Sequence, residues 1–195
     1  MRTPIIALAA IALCLGAATV SSADHHEGSP QEGQAEAGMP AMGPPPEMKA
    51  LEAMNGEYAI KFFYKMDPMS EEWMETDATA VMTTVAGGGA QQMVFEGQMM
   101  GMPFSGIGLT SYDRVTQKYQ TTWVDSMGAR ISIYTGDLVD GKLVVTGTDP
   151  GPAGGTYHSR LTNYNMTDAG FDWTYEMSED GTNYVVGAKA TYTKK

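Results

Sequence analysis

The chain has 195 residues with 12 basic and 23 acidic side chains, a formal charge of -11, and one cysteine, Cys14. An acidic balance of this size opposes binding to phosphate backbones and anionic lipid headgroups, and a lone cysteine excludes an internal disulfide framework. Nucleic acid is therefore not an expected partner, and the search for function turns to the globular part of the chain.

Met1-Arg2 is followed by an apolar run from Ile5 to Val20 and then by small residues at Ser21 and Ala23. A basic tip, a short apolar core and a small-residue site predict a signal peptide over residues 1–23, cut after Ala23, and a periplasmic or secreted product with no stable membrane insertion. Cleavage there removes Cys14, which excludes thiol catalysis, and removes Arg2, which takes the formal charge from -11 to -12. Residues 24–45 are rich in Gly, Pro, Ala and Glu and nearly free of large apolar side chains, so they read as a disordered linker. The remaining 46–195 has the length of one domain with one core.

Pro46-Glu47 opens a short helical pattern that puts Met48, Leu51 and Met54 on one face, and Asn55-Gly56 stops it. From Gly56 onward the periodicity is two. Tyr58, Ile60, Phe62, Tyr64 and Met66 alternate with Ala59, Lys61, Phe63 and Lys65; Tyr119, Thr121 and Trp123 alternate with Gln120 and Thr122. Phe171, Trp173, Tyr175 and Met177 alternate with Asp172, Thr174 and Glu176, and Tyr184, Val186, Ala188 and Ala190 with Lys189 and Thr191. Turn residues at Gly87-Gly88-Gly89, Gly101, Asp113 to Gln117, Gly128, Asp140-Gly141, Asp149 to Gly155, Asp168 to Gly170 and Asp180-Gly181 separate the runs. The pattern predicts an all-β, antiparallel up-and-down β-barrel of about ten strands with a short N-terminal helix, closed because an open sheet of that size leaves two edges unpaired.

Met54-Asn55-Gly56-Glu57-Tyr58, Met100-Gly101-Met102-Pro103-Phe104, Gly106 to Thr110 with Tyr112-Asp113, and Thr122 to Gly128 together resemble the bacterial DUF1579 family, which is grouped with calycin-like barrels. Gly56-Glu57-Tyr58 is also similar to the Gly-x-Trp opening of lipocalins. The chain differs from the family pattern at Ser105, where an acidic residue is usual, and at Ala129-Arg130, where Thr-Gly is usual. The resemblance implies a barrel of lipocalin-like type and carries no activity with it.

A ten-strand barrel is wider than its own side chains easily fill. Phe62, Phe95, Phe104, Tyr112, Trp123, Trp173 and Tyr175, with the deformable Met93, Met99 and Met102, are placed to line an interior for a small hydrophobic or amphipathic ligand. Met82 and Met177 share that parity. The methionines of the hairpin Gln98 to Pro103 can form an exposed apolar lip for a ligand or partner, or fold back over the Met48–Met54 helix and close one mouth; closure is expected, because so much exposed apolar surface costs solubility. His158 has the parity of Arg160, Thr162 and Tyr164, which turns it to water and away from any haem ligand role inside the barrel. No phosphate loop, dinucleotide fingerprint or paired-cysteine metal motif is present, and no cofactor is expected.

A non-enzymatic ligand-binding barrel is thus the first expectation. A second is a periplasmic copper site at the mature terminus Asp24-His25-His26, where amine, backbone nitrogens and the His26 imidazole can form a square plane, with Met39, Met42 and Met48 offering thioethers. A third is a hydrolase- or isomerase-type enzyme using Asp113, Asp125 or Arg130 at a barrel mouth.

Overall fold

The computed structural model describes residues 43–150 and 155–195. The expected signal peptide and the Asp24-His25-His26 copper site lie outside the described residues. A 3-10 turn at Pro46–Met48 runs into α1, Lys49–Glu52. Ten strands follow: β1 Gly56–Tyr64, β2 Met74–Val85, β3 Ala90–Met99, β4 Met102–Asp113, β5 Lys118–Asp125, β6 Ser132–Val139, β7 Lys142–Pro150, β8 Thr156–Thr167, β9 Gly170–Ser178 and β10 Val185–Lys194. Each strand pairs antiparallel with the next, and β1 pairs with β10, from Tyr58 opposite Lys194 to Tyr64 opposite Ala188, which closes the barrel. This is the all-β, ten-strand, up-and-down architecture that the period-two runs imply, and closure leaves no unpaired edge.

The helix covers the end of the barrel at which β1 begins. Met48, Leu51 and Met54 are buried, Leu51 to 1% exposure, and they pack in one core with Tyr58, Phe171 and Tyr192. A helix of this length has too few internal bonds to stand alone, so the barrel holds its ends. Gln91 Nε2 donates to the Leu51 carbonyl at 2.6 Å, the Tyr58 hydroxyl to the Met54 carbonyl at 2.7 Å, and the Tyr119 hydroxyl to the Glu47 carbonyl at 2.9 Å. Phe171 and Tyr192 stack with ring centroids 4.2 Å apart, and Tyr58 meets Phe171 edge-on at 5.5 Å. These aromatic contacts make the floor.

Because the strands run up and down, every odd strand ends at the rim opposite this floor. The β3–β4 hairpin therefore sits at the far end from α1 and does not cover it, contrary to the expectation drawn from its methionines. Its Met100 is exposed, and Met100 N donates to the Tyr64 hydroxyl at 2.9 Å, which ties the hairpin to β1 across the rim. Two further departures are local. Met66 lies past the end of β1 and is exposed. In β10 a bulge between Val186 and Ala188 reverses the alternation. Val186 consequently pairs with Glu176, an outward residue, and the Tyr184 ring lies outside under the Arg160 guanidinium, 4.1 Å away. Arg160 is itself held by Glu176 at 2.7 and 2.8 Å.

Candidate functional site

Between the aromatic floor and the rim lies a cavity of about 470 Å³. Its size follows from strand number, since ten strands enclose more than the side chains of most positions can fill. Phe62, Met93, Phe95, Met99, Phe104, Trp123, Trp173 and Tyr175, all expected in the interior, line it, as do Met82 and Met177. Two expected members do not. Met102 has the inward parity but stands at the hairpin tip, where no wall faces it, and is 50% exposed. Tyr112 lies towards the opposite end of β4, with its ring edge-on to Tyr119 at 5.1 Å, and belongs to the packing near the helix.

The aromatic wall is continuous. Phe62 stacks on Trp173 with 25° between ring planes, and Trp173 stacks on Tyr175 with 13°. Phe95 meets Phe62, Phe104 and Trp123 edge-on, at centroid distances of 5.9, 5.8 and 6.3 Å. Trp123 lies flat along β4 because Gly106 and Gly108 occupy the facing inward positions; a Cβ at Gly106 would run into the indole. The indole Nε1 donates to Asp125 Oδ2 at 3.0 Å, and Asp125 Oδ1 accepts from Met127 N and Gly128 N at 2.9 and 2.7 Å. Asp125 therefore fixes both the turn after β5 and the tilt of Trp123.

On the rim side of β6–β9 the wall is polar. Asp149, 8% exposed, receives five donors. Arg130 Nη2 and the Ser132 hydroxyl reach Oδ1 at 2.8 and 2.7 Å. The Tyr134, Ser159 and Tyr175 hydroxyls reach Oδ2 at 2.9, 2.7 and 3.3 Å. Five donors on one buried carboxylate satisfy it without water, and no buried side-chain nitrogen or oxygen among the described residues lacks a partner. Burial pushes the Asp149 carboxyl up, but the bonds from Ser132, Ser159 and Tyr134 and the charge on Arg130 outweigh it and hold the group below the ordinary aspartate value. The two phenols move the other way: burial, reinforced by the Asp149 charge, raises Tyr134 and pushes Tyr175 up to about 12.

This knot was not foreseen, because Asp149 reads as the first residue of a Gly-rich turn. Strand parity contains the signal: Leu143, Val145, Gly147 and Asp149 share one face of β7, and the first two are buried apolar residues. Of the residues weighed for catalysis, Asp125 and Arg130 line the cavity, whereas Asp113 does not share their mouth. Asp113 ends β4 near the helix, where it accepts from Val115 N at 2.8 Å and from the Thr116 hydroxyl at 2.8 Å and so shapes the β4–β5 turn. His158 is on the outer surface, as its parity requires. Among the described residues no group of three His, Cys, Asp or Glu side chains is placed to hold a metal, and no helix is long and apolar enough to cross a membrane.

The family model for proteins of unknown function DUF1579 matches residues 43–193, the helix and the whole barrel. The chain belongs to the DUF1579 family. No curated protein matches it. Solved structures of similar fold include two barrels. Rv2717c from M. tuberculosis is 13% identical, with a TM-score of 0.54 over 78% of this chain and 99% of that one. The S-type phycobiliprotein lyase CPES from Guillardia theta is 11% identical, with a TM-score of 0.50 over 75% of this chain and 91% of that one. At such identities the likeness is one of fold. It agrees with the closed ten-strand barrel of this DUF1579 chain.

Proposed function

We propose that this DUF1579 protein is a non-enzymatic carrier or sensor that takes a small apolar or amphipathic molecule into the barrel through the rim opposite the helix. The observation that carries the reading is the cavity itself: a space of about 470 Å³ walled by stacked aromatics and methionines, with one fully satisfied polar knot on one side. A site of that make-up suits a guest with a large apolar body and a few polar atoms. A protein needing only stability would fill the space, because empty volume costs roughly 24 cal/mol per Å³. The phycobiliprotein lyase named above is a barrel of the same kind, which is compatible with a bound guest here and does not identify it.

The non-enzymatic part of the reading rests on the state of the polar groups. Ser132 and Ser159 donate to a carboxylate already filled by other donors, so neither has a base free to take its proton, and His158 is outside the barrel. The signal-like pattern of residues 1–23 supports a site of action outside the cytoplasm.

Native mass spectrometry of the full chain expressed in an exporting bacterium tests both parts. The reading expects a chain beginning at Asp24 with an added mass of lipid or small-metabolite size that dissociates on activation. A chain that stays empty after incubation with extracts of its host would contradict the carrier reading, and a chain beginning at Met1 would contradict the export.

A further inference from the structure

The polar wall of the cavity has a direction. A carboxylate only accepts hydrogen bonds, so every bond to Asp149 must be donated by its partner. Ser132, Tyr134 and Ser159 each place their single hydroxyl proton on Asp149, at 2.7, 2.9 and 2.7 Å. The Tyr175 proton goes to Asp149 Oδ2 at 3.3 Å or to the Ser159 oxygen at 3.1 Å, and in either case it stays within the knot. Ser132, Tyr134 and Tyr175 line the cavity, and with their protons committed they offer it lone pairs alone. Donation to a charged acceptor also makes a hydroxyl oxygen a better acceptor in its turn. Two donor atoms beside this wall are engaged as well: Trp123 Nε1 is bound to Asp125, and Arg130 Nη2 to Asp149 and Ser132.

The approach to this wall is flat. Phe62, Trp173 and Tyr175 form successive near-parallel planes, 25° and 13° apart, ending at the Tyr175 hydroxyl. We infer that the cavity selects a planar aromatic molecule whose buried end carries a hydrogen-bond donor, a hydroxyl or a ring N–H, received by the Tyr134 and Tyr175 oxygens. This rests on the proposal that the cavity binds a guest, and it adds the chemical class. A methyl ether of the same shape would put its own lone pairs against those of the wall. A carboxylate would add repulsion from Asp149.

Calorimetric titration of the full chain with 2-naphthol, 2-methoxynaphthalene and 2-naphthoate tests it, because the three share a ring system and differ in the polar group. The inference expects 2-naphthol to bind in preference to the ether. Tyr134→Phe and Tyr175→Phe should each cut that preference by about three- to tenfold, the worth of one neutral hydrogen bond. The ether's affinity should hold or rise in both variants, since each loses an oxygen whose lone pairs oppose it, and retained binding shows that the cavity has kept its shape. If the ether matches 2-naphthol in the native protein, or the preference survives both variants, the donor class is wrong while guest binding stands. Tightest binding of 2-naphthoate would overturn the inference in favour of anion recognition by Arg130. If none of the three binds, the guest-binding proposal fails and this one falls with it.

Discussion

Arg130 and Asp149 meet at 2.8 Å across the rim of the barrel, with the arginine side chain 47% exposed and the aspartate buried. The pair is therefore unequal. Water can replace Asp149 around Arg130, but nothing outside the protein can replace the four hydroxyls that Asp149 gathers from β6, β8 and β9. Removing the exposed partner should cost little, about 1 kcal/mol, as for a solvent-screened ion pair. Asp149→Ala strips the buried hydroxyls of Ser132, Tyr134 and Ser159 of their acceptor and should cost about 3 kcal/mol. Urea unfolding of Arg130→Ala and Asp149→Ala checks the order; an equal or reversed ranking would mean that the hydroxyl cluster adds no stability beyond the ion pair.

The knot also sets a pH dependence. Tyr175 in the folded chain holds its proton to about pH 12, while an unfolded tyrosine loses it near pH 10. Its folded value is raised, so its contribution is complete below about pH 10 and is lost as pH rises towards the folded value. Tyr134 and Tyr192, raised mainly by burial, act in the same direction. Asp149 is lowered, so its contribution is present above the ordinary aspartate value near pH 4 and is lost as pH falls through the folded one. Urea midpoints should hold steady from about pH 6 to about pH 9 and fall by about pH 11, with a smaller fall in Tyr175→Phe. A native midpoint unchanged into the alkaline range would show that the phenols titrate alike in both states.

Gly106 offers a test of how the aromatic wall is positioned. A Cβ there meets the Trp123 indole, so Gly106→Ala must push the ring off β4 and strain its bond to Asp125. Overpacking of this kind costs about 1–3 kcal/mol. The near-ultraviolet circular dichroism of the tryptophans should change with it. An unaltered spectrum and midpoint would place the indole elsewhere.

Most of the barrel was legible because its information is local. Alternation from Tyr58 to Tyr64 and from Phe171 to Met177 names strands and faces, and Asp140-Gly141 or Asp180-Gly181 names a turn without reference to anything distant. What was not legible depended on which residues end at the same height. The position of the Met100-Gly101 hairpin follows from counting strands away from the helix, whereas the solubility cost of its exposed methionines argues for a place over the helix. Met102 has the right parity and the wrong height. The β10 bulge at Val186/Ala188 inverts a pattern that the sequence continues without a break. Asp149 escaped because aspartate before Pro150-Gly151 is ordinary turn chemistry, whereas its partners Arg130, Ser132, Tyr134, Ser159 and Tyr175 come from four other parts of the chain. A buried carboxylate becomes recognisable only when closure brings its donors around it.

The most direct test of the account is a fluorescence titration with N-phenyl-1-naphthylamine, a neutral aromatic probe that brightens in apolar surroundings, on the native chain and on Val145→Trp. Val145 lines the cavity, and a tryptophan there fills the space a guest needs. The account predicts saturable binding of one probe per chain in the native protein and its loss in the variant, with both proteins unfolding cooperatively. Absence of binding to the native chain, or equal binding to a folded Val145→Trp, would contradict the claim that the barrel interior is a binding site.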